Sequence, residues 1–300
     1  MPVNNQNLYL STTFFPDNSR VEEALELCSA HGINRIELGS NHCFEPNSLG
    51  VARRFRCDYL VHNYFPVPKE EMVLNIASLD DTIYNRSIKH VIDAIRFCGE
   101  TGARLYTFHP GFLTDPMGAQ RHSANYDFLF EDSHLGVTNY NKSFEQMING
   151  VSQAVKYAQS MRVRIAIETE GSFRRNKHLL MQRPEEYEAF FRCFSPHDIG
   201  INLNIGHLNL ASHAFEFKPN EFVDIVAKYV VAMELSHNRG KEDEHKPLVE
   251  NEWYWEIICD NRFIDGYKIL EIRNTPIENV LLNMKLIQDK FDEQLFKSNC

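Results

Sequence analysis

Six polar side chains close short apolar runs in this 300-residue chain. They are His62 in LVHNYFP, His109 in YTFHPG, Glu168 in IAIETEG, Asn204 in INLNIGHLNL, Glu234 in VAMELSH and Glu271 in KILEIR. Glu37, at the end of RIEL, repeats the pattern. Short apolar runs bounded by turn residues read as buried strands. Carboxylates, an amide and imidazoles delivered to one place can hold a divalent cation and move protons. In EDEH, Asp243 and His245 are two residues apart, so an extended loop points both the same way.

The chemistry depends on what brings these ends together. The first run is Leu8–Phe15, followed by helical periodicity over Val21–Ala30 that stops at Gly32. Further strands are expected at Arg35–Leu38, Tyr59–His62, Leu105–His109, Arg164–Glu168, Ile199–Asn204, Val230–Leu235 and Lys268–Glu271. An irregular crossover follows the second strand. Helices are expected over Ile83–Thr101, closed by Gly102, and over Phe144–Met161. Another opens with Pro184 in its first turn and runs to about Phe194. Trp253–Asp260 and Pro276–Leu295 complete the set. Eight strands alternating with helices predict one parallel sheet, closed as a single (β/α)8 TIM barrel over residues 1–300. Such barrels gather the C-terminal strand ends at one mouth, where catalysis occurs. Two long connections, 110–143 and 171–183, fall on that face and read as lids or specificity loops. The second carries Arg174, Arg175 and Lys177, a candidate phosphate contact.

Composition narrows the partners. A net charge of −10, spread along the chain, opposes binding to extended nucleic acid. Seven cysteines without a CxxC motif read as reduced thiols, and the expected location is cytoplasmic. No membrane span is expected. Trp253 and Trp255 fall on an outer helix and serve packing or a homo-oligomer interface.

The order of VHNYFP, VLNIASLDD, TFHPG, IAIETEG, NLNIGHLNLA, ELSHNRGKEDEH and LEIR resembles the xylose-isomerase-like TIM barrels, from about Leu8 to Ile287. That superfamily contains sugar isomerases and epimerases and endonuclease-IV-type DNA repair enzymes. The resemblance implies a divalent metal held by a glutamate, an aspartate, a histidine and a glutamate after strands five to eight. Glu168, Asn204, Glu234 and Glu271 stand at those positions, so two of the four depart from the pattern. The swaps conserve charge and make the donors all oxygen, which favours manganese, magnesium or calcium over zinc. Endonuclease-type members add metal positions that match His62, His109, His207, Asp243 and His245, of which Asp243 and His245 are a candidate second site. In sugar-processing members such residues contact substrate, which here implies His62, His109, His207, Arg273 and Glu37. The leading expectation is a metal-dependent isomerase or epimerase of a sugar or sugar phosphate. Glu168 and Glu271 would move the proton through an enediolate. Two alternatives stay open: an endonuclease-IV-like phosphodiesterase and a catalytically inactive sugar-binding barrel.

Overall fold

The computed structural model describes residues 7–116, 118–119, 128–129, 137–172 and 178–298. The barrel strands are β1 Leu8–Ser11, β2 Arg35–Leu38, β3 Asp58–His62, β4 Leu105–Phe108, β5 Arg164–Glu168, β6 Gly200–Asn204, β7 Val230–Leu235 and β8 Tyr267–Leu270. All pair in parallel and close in the order β1-β8-β7-β6-β5-β4-β3-β2. The helices are α1 Val21–Ala30, α2 Ser48–Arg54, α3 Asp81–Thr101, α4 Val137–Met161, α5 Pro184–Phe190, α6 Ile205–Phe215, α7 Pro219–Val226, α8 Trp255–Ile258 and α9 Ile277–Ser298. This is a single (β/α)8 TIM barrel, as the strand pattern predicts. No helix among the described residues is long and apolar enough to cross a membrane.

Period-two alternation sorts each strand into two faces. Outward residues such as Leu10, Ile36, Val61, Tyr106, Ile167, Leu203 and Leu235 join the core beneath the helices. Inward residues form two layers. The lower is apolar and is a separate cluster of Tyr9, Leu60, Leu105, Ala166, Ala232 and Ile269. The next inward position on the same strands is polar: Ser11, His62, Thr107, Glu168, Glu234 and Glu271, all buried. The barrel's own pleat therefore stacks a polar layer on an apolar floor.

Helix ends follow local chemistry. Asp80 accepts from the N–H groups of Thr82 at 2.8 Å and Ile83 at 3.0 Å, so α3 begins there and not at Ile83. Gly102, with φ of 76°, ends it in the left-handed region. α4 begins earlier than its apolar period suggests. Tyr140 stacks on Phe144 and its hydroxyl donates to Glu186 at 2.6 Å, which holds the first turns despite poor helix formers. The connection 110–143 therefore ends before Val137, and much of it lies outside the described residues.

Other boundaries differ from expectation. The first run becomes a strand only to Ser11, then a 3₁₀ turn over Thr12–Phe14. α5 ends at Phe190 and the tryptophan helix shrinks to α8. α2, α6 and α7 were not expected.

Candidate functional site

The polar layer and the loops above it converge on Glu168. Its Oε1 accepts from Asn204 Nδ2 at 2.9 Å and lies 3.1 Å from His207 Nδ1. Its Oε2 lies 3.5 Å from His62 Nε2 and 3.4 Å from His109 Nε2, with no hydrogen-bond partner of its own. The register explains the approach: β3 pairs with β4, and β4 with β5, so the three side chains end neighbouring strands.

Each of the two imidazoles is turned by its far nitrogen. His62 Nδ1 lies 2.8 Å from Thr107 Oγ1, and His109 Nδ1 lies 2.6 Å from Glu170 Oε1. Partners on Nδ1 that accept a proton leave the Nε2 lone pair facing Glu168, the usual arrangement around a metal-ligating histidine. His62, His109 and Glu168 could together hold one ion. A second group joins the loop after β7 to His207 on α6. His245 Nε2 lies 2.8 Å from Asp243 Oδ2, and His207 Nε2 lies 3.5 Å from the same oxygen. His207 Nδ1 donates to the Thr169 carbonyl at 2.8 Å, which turns Nε2 towards Asp243. These three could hold another ion. His245 Nδ1 faces Glu271 Oε2 at 3.2 Å, so Glu271 stands behind this second group.

The middle of the mouth is built differently. Asn204 Nδ2 donates to Glu234 Oε2 at 2.8 Å as well as to Glu168, while Asn202 Nδ2 donates to Glu234 Oε1 at 2.6 Å. Asn204 Oδ1 accepts the His207 N–H at 3.0 Å as the N-cap of α6. Glu37, His62 and Glu234 are also close enough to share an ion, and neither Glu37 oxygen has a hydrogen-bond partner among the described residues.

Burial and neighbours set the charges. Burial, then Glu271, pushes the Glu37 carboxyl well above the ordinary carboxylate range. Burial, then Glu168, does the same to Glu234. Burial also works to raise Glu168, but His109, His207 and His62 outweigh it and hold that carboxyl well below its ordinary value. Against the same burial, His245 brings Glu271 down to about 2. Asp243 is likewise held low by His245 and His207. Burial would lower His109, yet Glu168 and Glu170 raise it to about 9. Burial and Arg273 would lower His245, yet Asp243 and Glu271 raise it to about 9. In His62 burial wins and holds the imidazole below its ordinary value. Without an ion, protons on imidazoles therefore balance the ionised carboxylates. The unpartnered oxygens Glu168 Oε2 and Asp243 Oδ1 are buried where donors are expected, so the residues present fit a divalent cation.

The other expected residues are placed as follows. Arg273 is exposed, and its backbone N–H donates to the His245 carbonyl at 3.0 Å. His237 pairs with Lys246 outside the cluster. Trp255 is buried and donates to the Val249 carbonyl at 2.7 Å, a packing contact. Arg174, Arg175 and Lys177 lie outside the described residues. Two contributors were not singled out, Thr107 and Asn202. The signal was present: each is a polar residue two positions before a strand-end polar residue, hence on the same face.

The comparisons concern the fold that carries this site. An uncharacterized protein of Methanocaldococcus jannaschii is 20% identical over 282 residues, covering 93% of this chain and 87% of that protein. The crystal structure of a D-tagatose 3-epimerase-like protein superposes with a TM-score of 0.74 at 18% identity, covering 98% of this chain and 100% of that one. Endonuclease IV from Thermus thermophilus superposes with a TM-score of 0.59 at 13% identity, covering 96% and 99%. Likeness at these identities is one of fold. The sequence pattern of the xylose isomerase-like TIM barrels matches residues 5–290, and the chain belongs to that family.

Proposed function

We propose that the chain is a metal-dependent isomerase or epimerase of a sugar or sugar phosphate, with Glu168 and Glu271 transferring the proton. The observation that carries this reading is the pair of buried, ionised carboxylates on β5 and just past β8, each held by imidazoles and separated by β6 and β7. A divalent ion held by His62, His109 and Glu168 would polarise a substrate carbonyl and its neighbouring hydroxyl. Glu168 and Glu271 reach the bound sugar from different arcs of the mouth. Glu168 takes the carbon-bound proton, and Glu271, ionised at rest, returns one relayed from the protonated His245 beside it, through an enediolate. Glu37 and Glu234 keep their protons and can donate to substrate oxygens. Thr107 and Glu170 hold the imidazoles in register.

A small substrate fits the charge at the mouth better than nucleic acid. Arg239 and Lys246, on the loop that carries Asp243 and His245, both pair with Glu244. Their charge is spent locally rather than offered to a phosphate backbone. The six described cysteines form no disulfide with one another, which suits the cytoplasm.

One observation favours a second reading, hydrolysis of a phosphate ester. Two groups of two imidazoles and a carboxylate suit zinc, and paired ions activate water at phosphorus. One experiment compares the two. Protein loaded with manganese or zinc is incubated with ketoses and their phosphates in heavy water, and in parallel with abasic DNA. Exchange of a carbon-bound proton, lost in Glu168→Gln, supports the isomerase. Chelator-sensitive nicking without exchange overturns it.

A further inference from the structure

We infer that Asn204 is not a metal ligand but a built-in substitute for a cation: its amide nitrogen bridges Glu168 and Glu234, leaving no ion position at its own side chain. The inference rests on the metal-binding part of the reading above and not on the isomerase chemistry.

The amide's hydrogen bonds account for the assignment. Both N–H groups of Nδ2 are used, one on Glu168 Oε1 at 2.9 Å and one on Glu234 Oε2 at 2.8 Å. Oδ1 is used on the His207 N–H at 3.0 Å. Flipping the amide would set a carbonyl against the Glu168 carboxylate and an NH₂ against a backbone N–H, so the network admits one orientation. Asparagine is among the best N-cap residues, and α6 fixes the direction in which Nδ2 points. Glu234 is committed too, because Asn202 donates to its other oxygen at 2.6 Å. Unused oxygens occur away from the amide: Glu168 Oε2 faces His62 and His109, Asp243 Oδ1 belongs to the group with His207 and His245, and both oxygens of Glu37 belong to a group that shares His62 with the first. An aspartate at 204 would put a third carboxylate where the NH₂ now sits. Carboxylates at that spacing must share a proton or take up a cation between them, and a divalent ion displaces the proton.

The test is metal stoichiometry. Wild type and Asn204→Asp are dialysed to saturation against zinc, then separately against manganese, and metal per chain is measured by elemental analysis. Thermal unfolding is followed with and without chelator. The wild type should saturate at no more than two equivalents. Asn204→Asp should take one more, lose stability in chelator, and regain it on adding zinc. A wild type that holds three ions overturns the inference, as does a folded Asn204→Asp with unchanged stoichiometry. If the aspartate variant does not fold, the anomalous signal of zinc-soaked wild-type crystals decides: an ion within bonding distance of the Asn204 side chain overturns the inference, and ions placed only away from it support it. Should wild type bind no ion while Asn204→Asp binds one, the role of Asn204 stands and metal-dependent isomerisation falls.

Discussion

Thr107→Val tests whether the barrel tunes His62 as a ligand. Thr107 is buried on β4, and its hydroxyl lies 2.8 Å from His62 Nδ1. For an ion to sit between His62 Nε2 and Glu168, the ring proton must be on Nδ1, and Thr107 Oγ1 is what accepts it. Valine keeps the branched shape and the strand preference but removes the acceptor. The Nδ1 proton then has a poorer home, and the tautomer with a bare Nε2 becomes less populated. Loss of such an outer partner costs ~10–100-fold in metal affinity, or about 1.4–2.8 kcal/mol. The structure points to the lower end, because Glu234 Oε1 lies 3.4 Å from the same nitrogen and offers a second acceptor. His109 is the internal comparison. Its outer partner is the carboxylate of Glu170 at 2.6 Å, so Glu170→Gln should fall nearer the ~100-fold end. Competition with a chromogenic zinc chelator measures both, and unfolding in chelator shows that each variant is folded. A folded Thr107→Val with wild-type zinc affinity would refute the reasoning.

Three other expectations follow from the same contacts. Glu168→Gln keeps the shape but removes the charge and the base, so heavy-water exchange should fall by ~100-fold or more; exchange at the wild-type rate would remove Glu168 from the mechanism. In chelator, urea stability should fall as pH rises from 6.5 to about 9, since folded His109 and His245 are raised to about 9 and bind protons that the unfolded chain has released. Their contribution is complete below 6.5, the ordinary histidine value, and zinc should flatten the slope by taking the protons' places; a rise in apo stability across this window would contradict the assignment. Asp80→Ala removes the cap of α3 and should cost about 1 kcal/mol, seen as a lower urea midpoint at unchanged slope; an unmoved midpoint would show that the cap is idle.

Much of the barrel was legible because period and burial coincide. The runs reaching Glu168, Asn204 and Glu234 became strands that end at or one residue past those residues, since each is apolar outward and turns polar inward towards its end. α6 was hidden for a physical reason. Residues Ile205 to Ser212 are all buried, so the helix has no polar face and its sequence lacks a helical period. α7 carried a readable sign, Pro219 in its first turn after Lys218. Within the site, the sequence offered residue types but not the direction of donors. Asn204 supplies a carbonyl in the formula, and an all-oxygen ligand set follows from that alone. Only the fold shows that the carbonyl is spent on α6 and that the NH₂ faces the carboxylates. Pairing of imidazoles with Glu168 and with Asp243 likewise depends on loops whose path no local period encodes.

The apolar floor of Tyr9, Leu60, Leu105, Ala166, Ala232 and Ile269 makes the site a well with one opening. Burial pushes the Tyr9 hydroxyl up to about 12 and no other member of that layer carries a titratable group, so the floor gives Glu168, Glu234 and Glu271 no proton route. A sugar seated on the acids would stopper the well for as long as it stays. For the proposed chemistry, the hydrogen returned to carbon is then one loaded before the substrate arrived. Isotope in the product would record the solvent that the free enzyme last met, and a rapid switch from light to heavy water during a bound turnover would leave that turnover unlabelled.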